Sequence, residues 1–193
     1  EREADVGFQL IGGMPDYHAS YPGATSEGRY LEPEPLPSEE IPDWANQPTS
    51  PYLPGGVTND EMLSWGSAFT PAEWDWDVIR HRREEGIVTM GEALLGNFFR
   101  AADALGIEVR TETPVTELLV ENGRVVGAVA ESDGDPTEIR SRRGVVLNTG
   151  SYDWDDGLVE NVEQTPSELA GSVAVGTATG DGLRMAANEG AKL

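Results

Sequence analysis

Residues 115–132 restrict the fold most strongly, because two β-rich runs are joined there by an Asn-Gly dipeptide. The stretch reads VTELLVENGRVVGAVAES, with Asn122 and Gly123 at its centre. Both central residues of a two-residue hairpin turn must adopt positive φ, and Asn-Gly does so at low steric cost. A turn at residues 133–136 then leads to a β run at residues 138–141. The sequence therefore predicts a three-stranded antiparallel meander.

An apolar run after the meander ends abruptly in a polar turn. Residues 145–147 read Val-Val-Leu without polar alternation, which is typical of a strand covered on both faces in a parallel α/β sheet. Such sheets bind ligands just beyond the carboxyl ends of their strands. The residues that follow this predicted strand, Asn148, Thr149 and Gly150, are therefore candidates for contact with a cofactor.

A regular helical pattern precedes the meander. Thr89 is placed to cap a helix that extends to residue 105, where Gly106 is a stop signal. The apolar stripe of this predicted helix contains Leu94, Leu95, Phe98, Ala102 and Leu105. We predict a short strand at residues 107–110. Near the end of the chain, a glycine-rich loop leads into an amphipathic helix at residues 183–189.

Residues 1–88 are predicted to form a loop-rich region. Clustered prolines and glycines exclude long helices and central strands there. Four of the five tryptophans also lie in this region, and a disordered segment rarely carries so many aromatic residues. We therefore predict ordered loops with short helices at residues 59–67, capped by Thr58 or Asn59, and at residues 71–83.

The charge and composition exclude several classes of function. Acidic residues outnumber basic ones by 35 to 13, and the formal charge of −22 repels nucleic acid and anionic membrane surfaces. No apolar run is long enough for a membrane span. The lack of cysteine excludes disulfides, thiolate zinc sites and thiol nucleophiles, and we expect a cytoplasmic protein. The acidic excess is interpreted as a solvated surface, with adaptation to high salt as a special case and a patch for a cationic ligand as the alternative.

The predicted element order is helix, strand, antiparallel meander, strand and glycine turn. This order is typical of part of a dinucleotide-binding flavoprotein domain, an α/β fold of mixed α+β character on a Rossmann-like scaffold. A whole domain of this kind also needs a G-x-G-x-x-G turn, which the sequence lacks. We therefore expect an internal segment of a longer protein.

Three blocks of sequence have an order and spacing seen in a known family. They read GEALLGNFFRAADALGIEVRTETPVTELLVENGRVVGAVAE, RRGVVLNTGSYDWDDGLVEN and TGDGLRMAANEGAKL. Together they resemble the middle of the fumarate reductase and 3-ketosteroid dehydrogenase group of FAD-dependent oxidoreductases. The earlier stretch GMPDYHASYPGATSEGRYLEPEPL resembles the ketosteroid dehydrogenase branch. The resemblance implies FAD as cofactor, an incomplete FAD-binding domain at residues 89–193, and a position near the substrate site for residues 1–88.

The resemblance also implies which residues bind the cofactor. The strand that begins at Val115 would meet the adenine of FAD, and Thr149 and Gly150 would approach its ADP half. A glycine there lets the backbone come close to the nucleotide without a Cβ atom in the way. Ser151 stands where the family usually has a second glycine. The motif Thr-Gly-Asp-Gly adds three candidates near the flavin, which are Gly180, Asp181 and Gly182.

The resemblance implies a dehydrogenase of 3-ketosteroids or similar ketones, with hydride transfer to flavin N5. Tyr17, in a Pro-Asp-Tyr segment like one of the family, is the candidate catalytic residue as a hydrogen-bond partner or acid/base. The alternative for Tyr17 is a buried aromatic whose hydroxyl has a structural partner. Two other functions remain open: a fumarate or succinate oxidoreductase acting on a small carboxylate, and a non-catalytic interaction module on a flavoprotein scaffold. The oligomeric state also stays open.

The remaining polar clusters are interpreted as structural. His18 and His81 are the only histidines, and they have no metal-ligand spacing. The acidic stretches ESDGDPTE and DWDDG do not match a calcium loop, so we predict no metal site. Arg80, Arg82 and Arg83 are expected to pair with nearby carboxylates, with contact to an FAD phosphate or an acidic substrate as the alternative.

Overall fold

The computed structural model describes residues 6–45, 55–132, 134–166, 171–172 and 174–192. The chain divides into two compact units, Glu1–Thr111 and Glu112–Leu193. Within the described residues, no helix is both long enough and apolar enough to cross a membrane. The division of roles at residue 88 stays a prediction.

The first unit combines short antiparallel strand pairs with helices. Strand β1 pairs with β2, and β3 pairs with β4. Short 3₁₀ turns lie at Ser38–Glu40 and Pro71–Glu73. In chain order the elements are β1 (Phe8–Leu10), β2 (Leu31–Pro33), β3 (Leu36–Pro37), α1 (Asn59–Ser64), α2 (Trp76–Glu84), β4 (Ile87–Val88) and α3 (Met90–Leu105).

The predicted cap of α1 is confirmed. The Thr58 side chain accepts a 3.2 Å hydrogen bond from the Glu61 N–H, and the Glu61 carboxylate accepts one of 3.0 Å from the Thr58 N–H. This reciprocal pair satisfies two N–H groups at the start of the helix. The same carboxylate forms a two-point ion pair with Arg82 at 2.6 and 2.7 Å. The expected pairing of Arg82 with a carboxylate is therefore confirmed.

The single helix predicted for residues 71–83 is wrong. The chain forms a 3₁₀ turn, then an extended Trp74, and only then α2. Trp74 is buried with Val57, Met62 and Ile79, so the chain must bend to place its ring in this cluster. Asp75 restarts the helix, because its carboxylate accepts hydrogen bonds from the second and third helical N–H groups.

Helix α3 has the predicted bounds but buries a different face. Gly106 ends the helix in the left-handed conformation, as expected. The predicted apolar stripe is largely exposed, and Phe98 keeps 52% of its surface in solvent. The buried side contains Gly96, where a Cβ atom would lie within 3 Å of Ile41 and Leu36. This face is buried because Leu36 and Ile41 pack closely on Gly96, and not because it is the most apolar face of the helix.

The second unit contains the predicted meander. Its strands are β5 (Val115–Glu121), β6 (Arg124–Ser132) and β7 (Asp135–Arg140), and all neighbours are antiparallel. Asn122 and Gly123 have φ values of 51° and 73°, which confirms the hairpin turn. The third strand begins three residues earlier than predicted. The described residues that follow include α4 (Asp156–Leu158), which continues into a π turn at Val159–Glu163, and α5 (Asp181–Asn188).

Two predicted strands are wrong. Residues 145–147 and 107–110 have no strand conformation, and Val146 is 90% exposed. A strand forms only where a neighbouring strand pairs with its N–H and C=O groups. No strand among the described residues pairs with either segment. The fold thus has the predicted mixture of helices and antiparallel strands, but the described sheets are antiparallel only.

Candidate functional site

Two loops of the second unit that contain most of the candidate residues lie against each other. We call them the paired glycine loops: the first comprises residues 148–155, and the second comprises residues 174–182. The Gly180 N–H donates a 3.1 Å hydrogen bond to the Ser151 carbonyl oxygen. The Trp154 N–H donates one of 3.0 Å to the Ala178 carbonyl oxygen. Candidates from the two separate motifs are therefore brought together in space.

The contact between the loops requires glycine at two positions. A Cβ atom on Gly182 would lie 3.1 and 3.2 Å from the Cβ and Cγ2 atoms of Thr149 and still closer to its hydroxyl oxygen. At Gly180, φ is +76°, and a Cβ atom would lie 2.9 Å from the Cβ of Tyr152 and against Leu158. These two glycines are thus needed for packing between the loops.

Gly150 has a different environment, because it faces open space. Its φ is +85°, and a Cβ atom there would have no protein atom within 4 Å. Ser151 beside it is exposed, and its side chain hydrogen-bonds Asp153. The first glycine loop therefore presents backbone to which a bulky group can come close.

One ion pair also links the first glycine loop to α5. The Asp155 carboxylate accepts a 2.8 Å hydrogen bond from Nε of Arg184 and a second from its Nη2. Its other oxygen accepts a 2.9 Å bond from the Leu158 N–H, which caps α4. These bonds, led by that from Arg184, hold the pKa of Asp155 below its ordinary value. Asp155 is therefore ionised at neutral pH.

Two neighbours of this pair also have shifted pKa values. Hydrogen bonds from Ser151 and Ser172 lower the pKa of Asp153, and the bond from Ser172 is 2.6 Å long. Burial, followed by the negative charge of Glu163, raises the pKa of the Tyr152 hydroxyl. Tyr152 is therefore a neutral hydrogen-bond donor and not a base at neutral pH.

Asp181 lies at the start of α5, after the turn at Gly180. Its carboxylate accepts a 3.2 Å hydrogen bond from the Thr179 hydroxyl. The first N–H groups of a helix have no partner within the helix and favour anionic oxygens. In α5 the intrahelical bonds begin with the Arg184 N–H, which donates to the Gly180 carbonyl oxygen at 3.0 Å.

Val115 lies at the beginning of β5, opposite Ala130 on β6. Its side chain is partly exposed, and a break in the ladder register follows it directly. Among the contacts described for this part of the chain, none joins Val115 to the paired glycine loops. A predicted contact of its main chain with adenine stays a prediction.

Tyr17 belongs to the first unit and is not the buried aromatic considered as its alternative. Its side chain is 87% exposed and meets only Tyr30 among the described rings, edge to face at 6.4 Å. The turn that carries it is held by Asp16, whose carboxylate accepts a 2.9 Å hydrogen bond from the Thr25 N–H and pairs with Arg29 at 3.2 Å. The Tyr17 hydroxyl is thus accessible to a ligand.

The Asp155–Arg184 ion pair is not predicted from the sequence, although the sequence holds a signal for one of the two residues. DWDDG does not match a calcium loop, but its Asp-Asp-Gly is typical of a helix start with an acidic first turn. Arg184 has no local signal, because its partner lies 29 residues earlier. In the described part of the chain, no cluster of three or more potential ligand side chains could hold a metal ion.

Comparison with known proteins identifies the family. Residues 24–193 match the family described as FAD binding domain. The chain belongs to this FAD binding domain family. The match confirms the predicted flavoprotein family and the predicted cofactor, FAD.

Two relatives of the chain are named as dehydrogenases of cyclic oxo compounds. The chain is 33% identical over its whole length to 4-oxocyclohexanecarboxylate 2-dehydrogenase of Sinomonas cyclohexanicum, of which it covers 33%. It is 26% identical over 95% of its length to 3-oxosteroid 1-dehydrogenase of Mycolicibacterium smegmatis, of which it covers 35%. The chain thus spans about a third of the length of these relatives.

A solved structure shows the same fold. The chain superposes on 3-ketosteroid Δ1-dehydrogenase from Sterolibacterium denitrificans, solved in complex with 1,4-androstadiene-3,17-dione, with a TM-score of 0.77. The superposition covers 98% of this chain and 38% of that one, at 23% identity. The predicted flavoprotein fold is therefore confirmed.

The paired glycine loops fit an FAD nucleotide. Open space at Gly150 admits a large group close to the backbone, as glycine-containing turns do in nucleotide sites. The first N–H groups of α5 favour anionic oxygens, which is compatible with an anionic cofactor. Thr149 and Gly182 close the contact between the loops, and the open space lies at Gly150 of the first loop.

Proposed function

We propose that this protein is an FAD-dependent dehydrogenase that introduces a double bond beside the carbonyl group of a cyclic ketone. The observation that carries the proposal is the 33% identity over the whole chain to a 4-oxocyclohexanecarboxylate 2-dehydrogenase. The 3-oxosteroid 1-dehydrogenases support it further. In both names the new double bond joins the carbons α and β to the ketone.

The chemistry requires removal of a proton from the α carbon and of a hydride from the β carbon. FAD, when bound, supplies the hydride acceptor. Removal of the proton requires protein groups, because a C–H bond beside a carbonyl is acidic enough only when the negative charge that develops on the carbonyl oxygen is stabilised. Tyr17 is proposed to serve here, with its hydroxyl oxygen as a hydrogen-bond partner or acid/base toward the substrate.

The cofactor residues are proposed in two groups. The first glycine loop, through Thr149, Gly150 and Ser151, approaches the ADP half of FAD, and the strand that begins at Val115 meets its adenine. The second group lies nearer the flavin and comprises Gly180, Asp181 and Gly182. The hydrogen bond between the Gly180 N–H and the Ser151 carbonyl supports a joint role for the two motifs.

The test uses the purified full-length protein with FAD bound. It is mixed without oxygen with 4-oxocyclohexanecarboxylate, with a 3-oxosteroid that has a saturated C1–C2 bond, or with succinate. We expect at least one ketone to bleach the visible flavin absorption and succinate to leave it unchanged. Bleaching by succinate alone, or by none of the three, would overturn the proposal. A protein that stays colourless after addition of FAD would instead be a non-catalytic module.

A further inference from the structure

The Asp155–Arg184 ion pair connects the two motifs that are proposed to bind FAD. Asp155 follows Ser151 by four positions, and Arg184 follows Gly182 by two. The carboxylate side chain of Asp155 is only 13% exposed, whereas that of Arg184 is 54% exposed. Asp155 is therefore the fixed partner in the first glycine loop, and Arg184 is the more exposed partner that extends from α5.

Asp155 is anchored by a second bond that does not involve Arg184. One carboxylate oxygen caps α4 through the Leu158 N–H at 2.9 Å, and the other receives Nε and Nη2 of Arg184. A carboxylate with both oxygens engaged has little rotational freedom. The position of the guanidinium, and with it the first turn of α5, therefore depends on the backbone of the first loop.

The loops are also joined by backbone hydrogen bonds from Gly180 and Trp154, and by a 3.0 Å bond from Nε1 of Trp154 to the Ala174 carbonyl oxygen. These bonds lie on the amino-terminal side of α5, and the packing of Thr149 on Gly182 lies at the beginning of the helix. The ion pair adds a contact beyond that point. The ion pair is thus a charge-assisted link between the first loop and the helix itself.

We propose that Asp155 and Arg184 are positioning residues for FAD, which hold the paired glycine loops in the arrangement that receives the nucleotide before it binds. The inference rests on the proposed function, because it takes these loops as the FAD site. A site that is ordered in advance binds more tightly, since less conformational freedom is lost on binding. Without the pair, FAD itself must order the loops.

The test measures FAD affinity with the full-length protein after removal of its cofactor, by titration with FAD and by the rate of FAD release. Asp155→Asn retains a carbonyl oxygen for the Leu158 N–H but loses the charge, and Arg184→Gln loses the guanidinium. We expect each change to weaken FAD binding about tenfold, as for loss of one charge-assisted contact. Because the two residues act as one contact, the double variant should bind FAD no more weakly than either single variant.

The matched control is the Glu138–Arg140 ion pair of β7, which lies in the same unit at 3.3 Å. Glu138→Gln should leave FAD affinity unchanged. Arg184→Lys, which keeps a positive charge, should recover part of the affinity lost in Arg184→Gln. A purely structural role would lower the melting temperature of the cofactor-free protein without changing FAD affinity in the folded state.

Equal FAD affinity in the wild type and Arg184→Gln would overturn the inference, and so would additive losses in the double variant. Arg184 is half exposed, so this variant remains informative even if Asp155→Asn does not fold. Failure of the proposed function has a different signature: the wild-type protein binds FAD but oxidises no ketone. A wild-type protein that binds no FAD would overturn both.

Discussion

The side chain of Thr149 fills the space beside Gly182 in which any other residue would carry its Cβ atom. Three side-chain atoms of Thr149 lie close to that position, and Gly182 is buried. The two residues come from motifs that are 33 positions apart in the chain. Their contact means that the first turn of α5 and the first glycine loop form one packed structure.

Replacement of this glycine should therefore separate the loops. We expect Gly182→Ala to destabilise the protein by about 1–3 kcal/mol, the usual cost of overpacking, in urea unfolding experiments. Adding Thr149→Ala should restore part of that loss by removing the hydroxyl and Cγ2 atoms. Gly144→Ala is the control, because its Cβ would meet no atom within 4 Å and its φ is ordinary. A Gly182→Ala protein as stable as this control would contradict the packing.

Gly150 tests the approach of the cofactor and not the packing of the protein. An alanine methyl there would project into the open space proposed for the nucleotide. We expect Gly150→Ala to weaken FAD binding about tenfold or more, as measured by titration. Gly190→Ala is matched for backbone strain, with φ of +87° against +85° and equally open surroundings. Equal FAD affinity in the two variants would show that only strain matters.

The exposed hydroxyl of Tyr17 gives a prediction for turnover. Tyr17→Phe should lower kcat for a ketone substrate about 100-fold or more, the usual contribution of a proton-transfer group. FAD affinity and the melting temperature should not change, since the side chain is 87% exposed. Tyr21→Phe is the control, because Tyr21 is another exposed tyrosine of the same segment. Normal turnover in Tyr17→Phe would exclude a role in proton transfer.

The turn held by Asp16 should affect turnover only by positioning Tyr17. Asp16→Ala removes both the acceptor of the Thr25 N–H and the partner of Arg29. We expect lower kcat in the wild-type background but no further loss in the Tyr17→Phe background, because coupled residues are not additive. Steady-state kinetics of the four proteins measures this coupling. An equal effect of Asp16→Ala in both backgrounds would assign Asp16 a separate role.

The Glu61–Arg82 ion pair predicts a dependence of stability on acid. Burial alone would raise the pKa of Glu61, but the hydrogen bonds from Arg82 and Thr58 outweigh it and lower this pKa. The pair therefore stabilises the folded state fully above the unfolded pKa, about 4.3, and the contribution is lost as pH falls through the lower folded pKa. As pH falls through this range, the unfolding free energy of Glu61→Gln should decrease less than that of the wild type.

Glu108→Gln is the control for this pH experiment, since the Glu108–Arg110 pair is exposed and contributes little to stability. Its pH profile should follow that of the wild type. A Glu61→Gln profile that also follows the wild type would show that the ion pair makes no pH-dependent contribution.

The net charge predicts a response to salt. A formal charge of −22 on 193 residues implies strong self-repulsion, which salt screens as the Debye length falls from about 10 Å at 0.1 M to about 3 Å at 1 M. We expect the melting temperature to rise over this range of potassium chloride. Sucrose, which does not screen charge, is the comparison. A melting temperature that is constant or falls with salt would refute the role of repulsion.

The meander and the helix ends could be predicted because their determinants are local. Asn122 and Gly123 adopt positive φ for reasons of their own covalent structure, and Thr58 reaches its helical partner only three positions away. Gly106 likewise ends α3 by adopting a left-handed conformation. In each case the residues that determine the structure are neighbours in the chain.

The buried face of α3 and the state of residues 145–147 could not be predicted in the same way. The face is selected by Leu36 and Ile41, which approach Gly96 from a segment more than fifty residues away. An apolar run such as Val145–Val146–Leu147 becomes a strand only beside another strand, and its own composition does not supply one.

The sequence by itself determined the hairpin, the cap of α1, the end of α3 and the motifs that mark a flavoprotein, because these depend on backbone conformation and on residues close together in the chain. Only the tertiary structure decided that the two glycine motifs touch, and that Asp155 and Arg184 join them. The physical reason is that packing and ion pairing depend on distances in space, which separation along the chain does not determine.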